Sequence, residues 1–529
     1  MRTRTDSVNV AGRIAFYLLL TAYVVLTLAQ RSFPTQDGPA HLYYADVVRH
    51  MLRGDGPYSQ YFAIKHWFPP YAFHTYLLIG LFSIVKALTA EKILVTIYTV
   101  WFCMAFRYLV HSVNPADEVL SIVAFPFVHN KTVYLGFYNF SFGVATCLFL
   151  IGYWLRHHRR LTAARAAVFG FLIFVLAMMH PVALFVALLF VGTHVLLMGL
   201  AQYRQASGPA AARVLAVAAR LRRQVLLAGA AGACSALWIL QFTRSGGLIW
   251  NIAPMRPLAL LAMAPLTAFR PIAYRLVLAV PAAAVALLAL RRFFAGRFLK
   301  PLTEEAALMV LAFACAAIYI LGPFQVNYGA FFPDRFPIFA VAFATAFASG
   351  LELEARALRS LMAGVAVASV ICLATQGVLK QKIIDNLDPL YEAAAAKPAR
   401  KVLVVSTEPI SNTSAAPDSF DPYLWAGLNY VRRSEAIFLN SAWLDTPITM
   451  LEARSRNMCS YEDPFPTSLC LSGDRKAMHP GPAPEPDLLI SIDHGGKSSE
   501  RISTDRLARR MGLKRLALRA GVLSFYGRP

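Results

Sequence analysis

The sequence is 529 residues long, 57% hydrophobic and only 15% charged, with a mean hydropathy of +0.51. A soluble globular chain carries about 25% charged residues, so this composition excludes an ordinary soluble protein and requires lipid as solvent for most of the chain. The net charge of +22 does not indicate nucleic acid as a partner. The first 380 residues hold 32 basic and 12 acidic residues and the last 149 hold 19 and 17, and the early excess lies in short loops between apolar runs, where it reports orientation.

A spanning helix takes about 20 apolar residues, and about eleven runs before residue 381 qualify. Met1–Arg13 carries three arginines without a small-residue cleavage site, so Ile14–Gln30 is expected to be a retained first helix. Arginine clusters at Arg2/Arg4/Arg13, Arg156/Arg159/Arg160/Arg165, Arg204/Arg213/Arg220/Arg222/Arg223, Arg291/Arg292/Arg297/Lys300 and Arg356/Arg359 are expected on the cytoplasmic side. Between Arg13 and Arg156 lie five apolar runs, Ile14–Gln30, Tyr71–Leu88, Ile93–Val110, Val119–Leu135 and Phe140–Leu155. Starting and ending inside needs an even number of crossings. Tyr71–Leu88 follows Pro69-Pro70 and contains His74 and Lys86, so it is taken to lie along the interface. Residues 31–91 then form one long external loop, and His129–Asn139 a second.

The remaining runs alternate. Ala166–Met179 and Pro181–Leu200 are joined by an external turn at His180; Leu226–Phe242 and Tyr274–Leu290 flank the external Thr243–Pro271; Glu305–Leu321 and Phe336–Leu351 flank Gly322–Arg335. Leu361–Leu379 exits to the last 149 residues. The expected fold is an all-α polytopic membrane bundle, 1–380, followed by a periplasmic soluble α/β domain, 381–529, whose strands include Lys401–Ser406 and Leu488–Ile492. Cys103, Cys147, Cys234, Cys315 and Cys372 fall in apolar runs and read as small buried residues. Cys459 and Cys470 lie in the tail, where an oxidising compartment permits a disulfide.

In this topology the external acids of the membrane part are Asp37, Asp46, Asp55, Glu91 and Asp334. Asp37 lies in Phe33-Pro-Thr-Gln-Asp-Gly-Pro-Ala-His41, where Pro and Gly fix a loop at the membrane surface. A carboxylate there is suited to deprotonating an acceptor hydroxyl or to holding a divalent cation. Asp is equally suited to capping a helix that begins near Pro39, and the two roles are compatible. His41 follows four residues later.

These features together resemble the GT-C glycosyltransferases, a superfamily that includes protein O-mannosyltransferases and aminoarabinose transferases. The resemblance rests on the acid in the first external loop, the amphipathic segments behind it, the many spans and the C-terminal external domain. It implies Asp37 as the catalytic acid, a polyprenyl-phosphate-linked sugar as donor, and a glycan, lipid or protein acceptor. Members often carry a second acid in the second external loop. This chain has Asn139 near that place and no carboxylate from His129 to Phe142, a departure from a two-acid metal site. His129 and Lys131 are candidates for phosphate binding or for snorkelling to the interface. His180, before Pro181, is a phosphate-ligand candidate or a histidine satisfied within its turn. In Asn327-Tyr-Gly-Ala-Phe-Phe-Pro-Asp-Arg-Phe336, Arg335 is the phosphate-contact candidate, with Asp334 its neutraliser or its ion-pair partner.

No Gly-rich nucleotide loop is present. In the tail, Asp493-His494-Gly-Gly496 reads as turn chemistry or a minor site, and Trp425, Tyr430, Trp443 and Tyr461 as core aromatics or a sugar-stacking surface. Two rival readings are a lipid or polysaccharide transporter and a non-catalytic envelope-assembly protein. The expected location is the bacterial inner membrane with the N-terminus cytoplasmic.

Overall fold

The computed structural model describes residues 2–240, 248–250, 254–269, 271–294, 305–326, 330–351 and 353–396, and short stretches between 401 and 527. The helices in order are α1 (Arg2–Ala29), α2 (Gly38–Arg53), α3 (Phe73–Leu81), α4 (Ala87–Val113), α5 (Phe125–Val128), α6 (Lys131–Tyr134), α7 (Tyr138–His157), α8 (Ala163–Met179), α9 (Pro181–Gln205), α10 (Ala210–Leu240), α11 (Arg256–Leu261), α12 (Ile272–Arg292), α13 (Ala306–Leu321), α14 (Pro337–Ala348), α15 (Ala355–Ala396) and α16 (Gly427–Arg433). Among the described residues seven helices are long and apolar enough to cross a membrane: α1, α4, α7, α9, α10, α12 and α15. Two shorter apolar helices, α8 and α13, accompany them. The chain is a multi-pass membrane protein. On α10, Leu215, Leu226, Leu237 and Leu240 are exposed, as lipid-facing residues are. Cys234 is exposed on that same helix, whereas Cys103, Cys147, Cys315 and Cys372 are buried as expected. Cys459 and Cys470 lie outside the described residues.

The chain divides into two compact units. The first comprises Met1–Thr27, Val95–Thr132 and Tyr138–Gln376. Within it the expected span Val119–Leu135 is not a continuous helix. It is broken into a 3-10 helix, Pro115–Ala124, then α5 and α6. The segment runs antiparallel to α4: Glu118 pairs with Arg107 at one end, and Tyr98 donates to the Val128 carbonyl at 2.9 Å further along. Residues 117–136 are buried, so the irregular backbone is packed in protein, where non-helical structure is tolerated in a membrane.

Arg13, Arg107, His111 and Glu118 gather at one end of this unit, with Arg13 3.7 Å and His111 2.8 Å from Glu118. Burial pushes the Glu118 pKa up, but His111 and Arg107 outweigh it and hold the carboxyl below its usual range. The first arginine cluster and the α4 loop thus share one end, as the crossing parity requires.

The second unit comprises Leu28–Leu94, Val133–Phe137 and Gly377–Pro529. The expected interfacial segment 71–88 contains only the nine-residue α3, far short of the about 20 residues a span needs. Strand β1 (Phe62–Ile64) pairs antiparallel with a tail strand that falls sixth in chain order. The first unit contributes β2 (Leu248–Ile249) and β3 (Gln325–Val326), which pair with each other. The tail contains β4 (Lys401–Ser406), β5 (Ile437–Phe438), β6 (Leu451–Ala453), β7 (Leu488–Ile492), β8 (Lys514–Ala520) and β9 (Leu523–Gly527). Five of these form a mixed sheet in the order β5-β4-β7-β9-β8, with β4 parallel to β5 and β7, and β9 antiparallel to β7 and β8. The remaining one, β6, pairs with β1 of the first loop, and α16 packs on α2. The tail and the long first loop therefore form one folded body.

Candidate functional site

The second unit builds a cradle around Asp37. α1 ends at Ala29, and the loop that follows reaches Asp37 at the N-cap of α2. Pro39 lies in the first turn of α2, where a missing N–H costs nothing. Asp37 is in the N-cap position but its side chain makes no capping bond. Thr35 Oγ1 takes that part, accepting from Gly38 N at 3.1 Å, which leaves the carboxylate to other contacts. Gln36 Nε2 is 3.4 Å from Asp37 Oδ1. The same Thr35 hydroxyl donates to Glu91 Oε1 at 3.3 Å. Asp37, Thr35 and Glu91 are all buried.

The loop is held by the segment 133–137. Gln36 N donates to the Tyr134 carbonyl at 2.9 Å and Asp37 N to the Leu135 carbonyl at 3.2 Å. Phe33 stacks on Tyr134 with ring centroids 5.5 Å apart. Gly136 has φ +82°, and a Cβ there would lie 2.9 Å from both Asp37 N and Gly38 N. Only glycine meets both demands. His41 touches the Gly136 backbone and meets His74 edge-to-face at 4.2 Å. Burial, then the neighbouring His74, holds the His41 imidazole well below its ordinary value against the Gly136 bond, which raises it. His41 is therefore neutral at pH 7, a hydrogen-bonding group beside the acid.

The first unit gathers different residues. Lys131 is fully buried, 3.4 Å from Asp334 and with its ammonium 5.5 Å from the Phe331 ring centroid. Arg335 donates to the Ala330 carbonyl at 2.6 Å and lies over the Phe140 ring. Asp334 thus pairs with Lys131, 203 residues away in sequence, and not with its neighbour Arg335. The other part of that motif, Asn327-Tyr-Gly329, lies outside the described residues.

His180 caps α9: its Nδ1 accepts from Val182 N at 3.1 Å, and its ring meets Phe140. Burial, then the Arg335 charge, depresses its basicity. With Nδ1 accepting, the neutral ring keeps its proton on Nε2, so His180 offers an uncharged donor. His129 is buried with Nε2 2.9 Å from Thr99 Oγ1; Thr99 gives its own proton to the Val95 carbonyl, so His129 donates. Neither His129 nor Lys131 extends to a surface. Asn139 is buried in the first turn of α7.

Motif reading passes over two further buried cations, one in each unit. Arg256 is buried, donates to the Gly322 carbonyl and feels the Asp334 charge, while burial lowers its basicity. An arginine in a stretch expected outside departs from the positive-inside bias, and that departure is its sequence signal. Lys380 is fully buried in the second unit, its ammonium 4.8 Å from the Phe33 ring centroid. Among the described residues no group of three or more His, Cys, Asp or Glu side chains is arranged to hold a metal. Asp493, His494, Trp425, Trp443 and Tyr461 lie outside the described residues, as does the Tyr430 side chain.

No protein family matches the sequence, and no characterised protein matches it at a significant level. Solved structures do match. ArnT from Cupriavidus metallidurans bound to undecaprenyl phosphate aligns at TM-score 0.53 and 10% identity, over 97% of each chain. Its apo form aligns at 0.54 and 10%, over 98% of each chain. An Archaeoglobus fulgidus oligosaccharyltransferase complex with Zn and sulfate aligns at 0.44 and 14%, over 90% of this chain and 68% of its own. The fold is therefore similar to that of ArnT along nearly the whole chain.

Proposed function

We propose that the protein transfers a sugar from a polyprenyl-phosphate-linked donor to an acceptor at the periplasmic face of the bacterial inner membrane. The observation that carries this reading is the Asp37 cradle. A carboxylate is presented at the mouth of α2 by a loop whose capping work is done by Thr35, on a chain with the fold of a transferase that binds undecaprenyl phosphate.

Asp37 is the general base that takes the acceptor's proton as the acceptor attacks the anomeric carbon. His41 hydrogen-bonds beside it as a neutral ring. Arg335 and Lys131 supply positive charge for the departing phosphate and His180 a neutral N–H donor, with His129, Asn139 and Asp334 completing the polar lining of that unit. Aiming cations and donors at the charge that develops on the leaving group lowers the barrier. The Asp37 carboxylate would also be a ligand for a divalent cation.

The test compares envelope glycans and lipid-linked sugars by mass spectrometry in wild type, a clean deletion and Asp37→Asn at wild-type level. Loss of one glycan in both mutants, with its lipid-linked donor accumulating, is the expected outcome; removal of a general base costs about 10²–10⁴-fold in rate. A deletion that loses the glycan while Asp37→Asn keeps it removes Asp37 from the mechanism. No change in either strain removes sugar transfer itself.

A further inference from the structure

In the second unit, three polar groups on two short stretches are buried without a hydrogen-bond partner among the described residues: Gln30 Oε1, Ser32 Oγ and Lys380 Nζ. The stretches lie side by side, because Gln30 Nε2 donates to the Gly377 carbonyl at 3.0 Å and the Lys380 ammonium rests on Phe33. Three acids of the unit have other partners. Asp388 pairs with Arg31 at 2.6 Å, Asp385 accepts from Gln381 at 2.8 Å, and Glu91 accepts from Thr35. An ammonium with 0% exposure and no counter-charge among the described residues is costly in a protein interior. The ring of Phe33 offsets part of that cost. A bound phosphate would supply the counter-charge that Lys380, within α15, otherwise lacks.

We propose that Lys380 binds the phosphate of the polyprenyl-linked donor, with Ser32 and Gln30 as neutral contacts. The inference rests on the transferase reading and adds to it a binding residue outside the motifs. The chemistry fits: an ammonium is a point-charge phosphate ligand, a hydroxyl donates to a phosphate oxygen, and Gln30 Oε1 accepts from a protonated phosphate or a sugar hydroxyl. Phe33 links the site to the acid, since its ring is held by Tyr134 on one side and by the Lys380 ammonium, four residues before Asp37 in the same loop. Occupancy by donor is therefore felt at the loop that carries Asp37.

The experiment titrates the full chain in nanodiscs with undecaprenyl phosphate and with undecaprenol by native mass spectrometry, using wild type, Lys380→Met and Lys380→Arg. Inorganic phosphate and phosphatidylglycerol serve as competitors. The expected result is tighter binding of undecaprenyl phosphate than of undecaprenol to wild type. Lys380→Met weakens the phosphate lipid by about tenfold or more, the range for a charged hydrogen bond, leaves undecaprenol unchanged, and Lys380→Arg retains most of the affinity. Equal binding by wild type and Lys380→Met overturns the inference, as does a loss common to both lipids. Competition by phosphatidylglycerol or by inorganic phosphate at equal concentration assigns the site to bulk lipid or to free phosphate and overturns it too. If wild type itself does not distinguish the two lipids, the transferase reading falls with it. Should Lys380→Met not fold, reductive methylation of Lys380 in wild type decides: protection by undecaprenyl phosphate and not by undecaprenol supports the site, and equal labelling overturns it.

Discussion

The two units solve the problem of a buried polar site in opposite ways. Around Asp37 the work is done by main chain: two N–H groups donating to carbonyls of 134 and 135, a hydroxyl cap from Thr35, and a glycine that lets two loops touch. Around Lys131 it is done by charge, with an ammonium and a carboxylate paired at 3.4 Å and a guanidinium donating to a carbonyl. Main-chain cradles fix position without needing a counter-ion. Charge clusters supply field strength, but each member depends on the others being present.

Lys131→Met is the sharpest way to break the charged region. It strands Asp334 without its partner, and removing one member of a buried pair costs about 3–5 kcal/mol. Thermal melting of the detergent-solubilised protein should fall accordingly, and Lys131→Met with Asp334→Asn should recover part of the loss. Full recovery of stability by the single variant would show that the pair contributes nothing. Gly136→Ala tests the main-chain region. A side chain there meets a left-handed φ and two backbone nitrogens at 2.9 Å, and strain of this kind costs about 1–3 kcal/mol. The loss should be concentrated at the Asp37 loop, read as faster hydrogen exchange at Gln36 and Asp37, with exchange around Lys131 unaltered.

The third test is a pH titration, with the smallest effect. His41 and His180 are both held below the ordinary value of 6.5, so the folded protein keeps them neutral while the unfolded chain protonates them. The unfolded state then binds more protons below 6.5. Stability is complete above that pH and declines as pH falls through and below it. His41→Gln should flatten part of this slope, and an unchanged slope in both His41→Gln and His180→Gln would place the dependence elsewhere.

Much of this was legible in the order of residues. Arginine clusters and apolar runs located the helices, and the Pro-Gly-Pro punctuation around Asp37 located the loop. Tyr71–Leu88 was legible as non-spanning from its prolines and His74. The run Val119–Leu135 was not legible as broken, because hydropathy registers composition and not whether hydrogen bonds skip three residues or four. Pro115 and Pro126 were its visible warnings. Pairing across 203 residues, as between Lys131 and Asp334, leaves no local trace in a single sequence. Gly136 was visible within the second-loop segment, but its purpose emerges only when the carbonyls of 134 and 135 meet the Asp37 loop. Lys380 carries no motif that would single it out, and its burial emerges only in the folded chain.

The broken run between Pro115 and Val128 also bears on how the protein is made. A continuous apolar helix satisfies its own backbone and can partition from the insertion machinery into lipid alone. A 3-10 helix joined to a single α-turn, buried from Asp117 onward, has no such independence. It depends on α4 before it and on helices synthesised after it, so this segment settles late, once neighbours that emerge from the ribosome after it are in place.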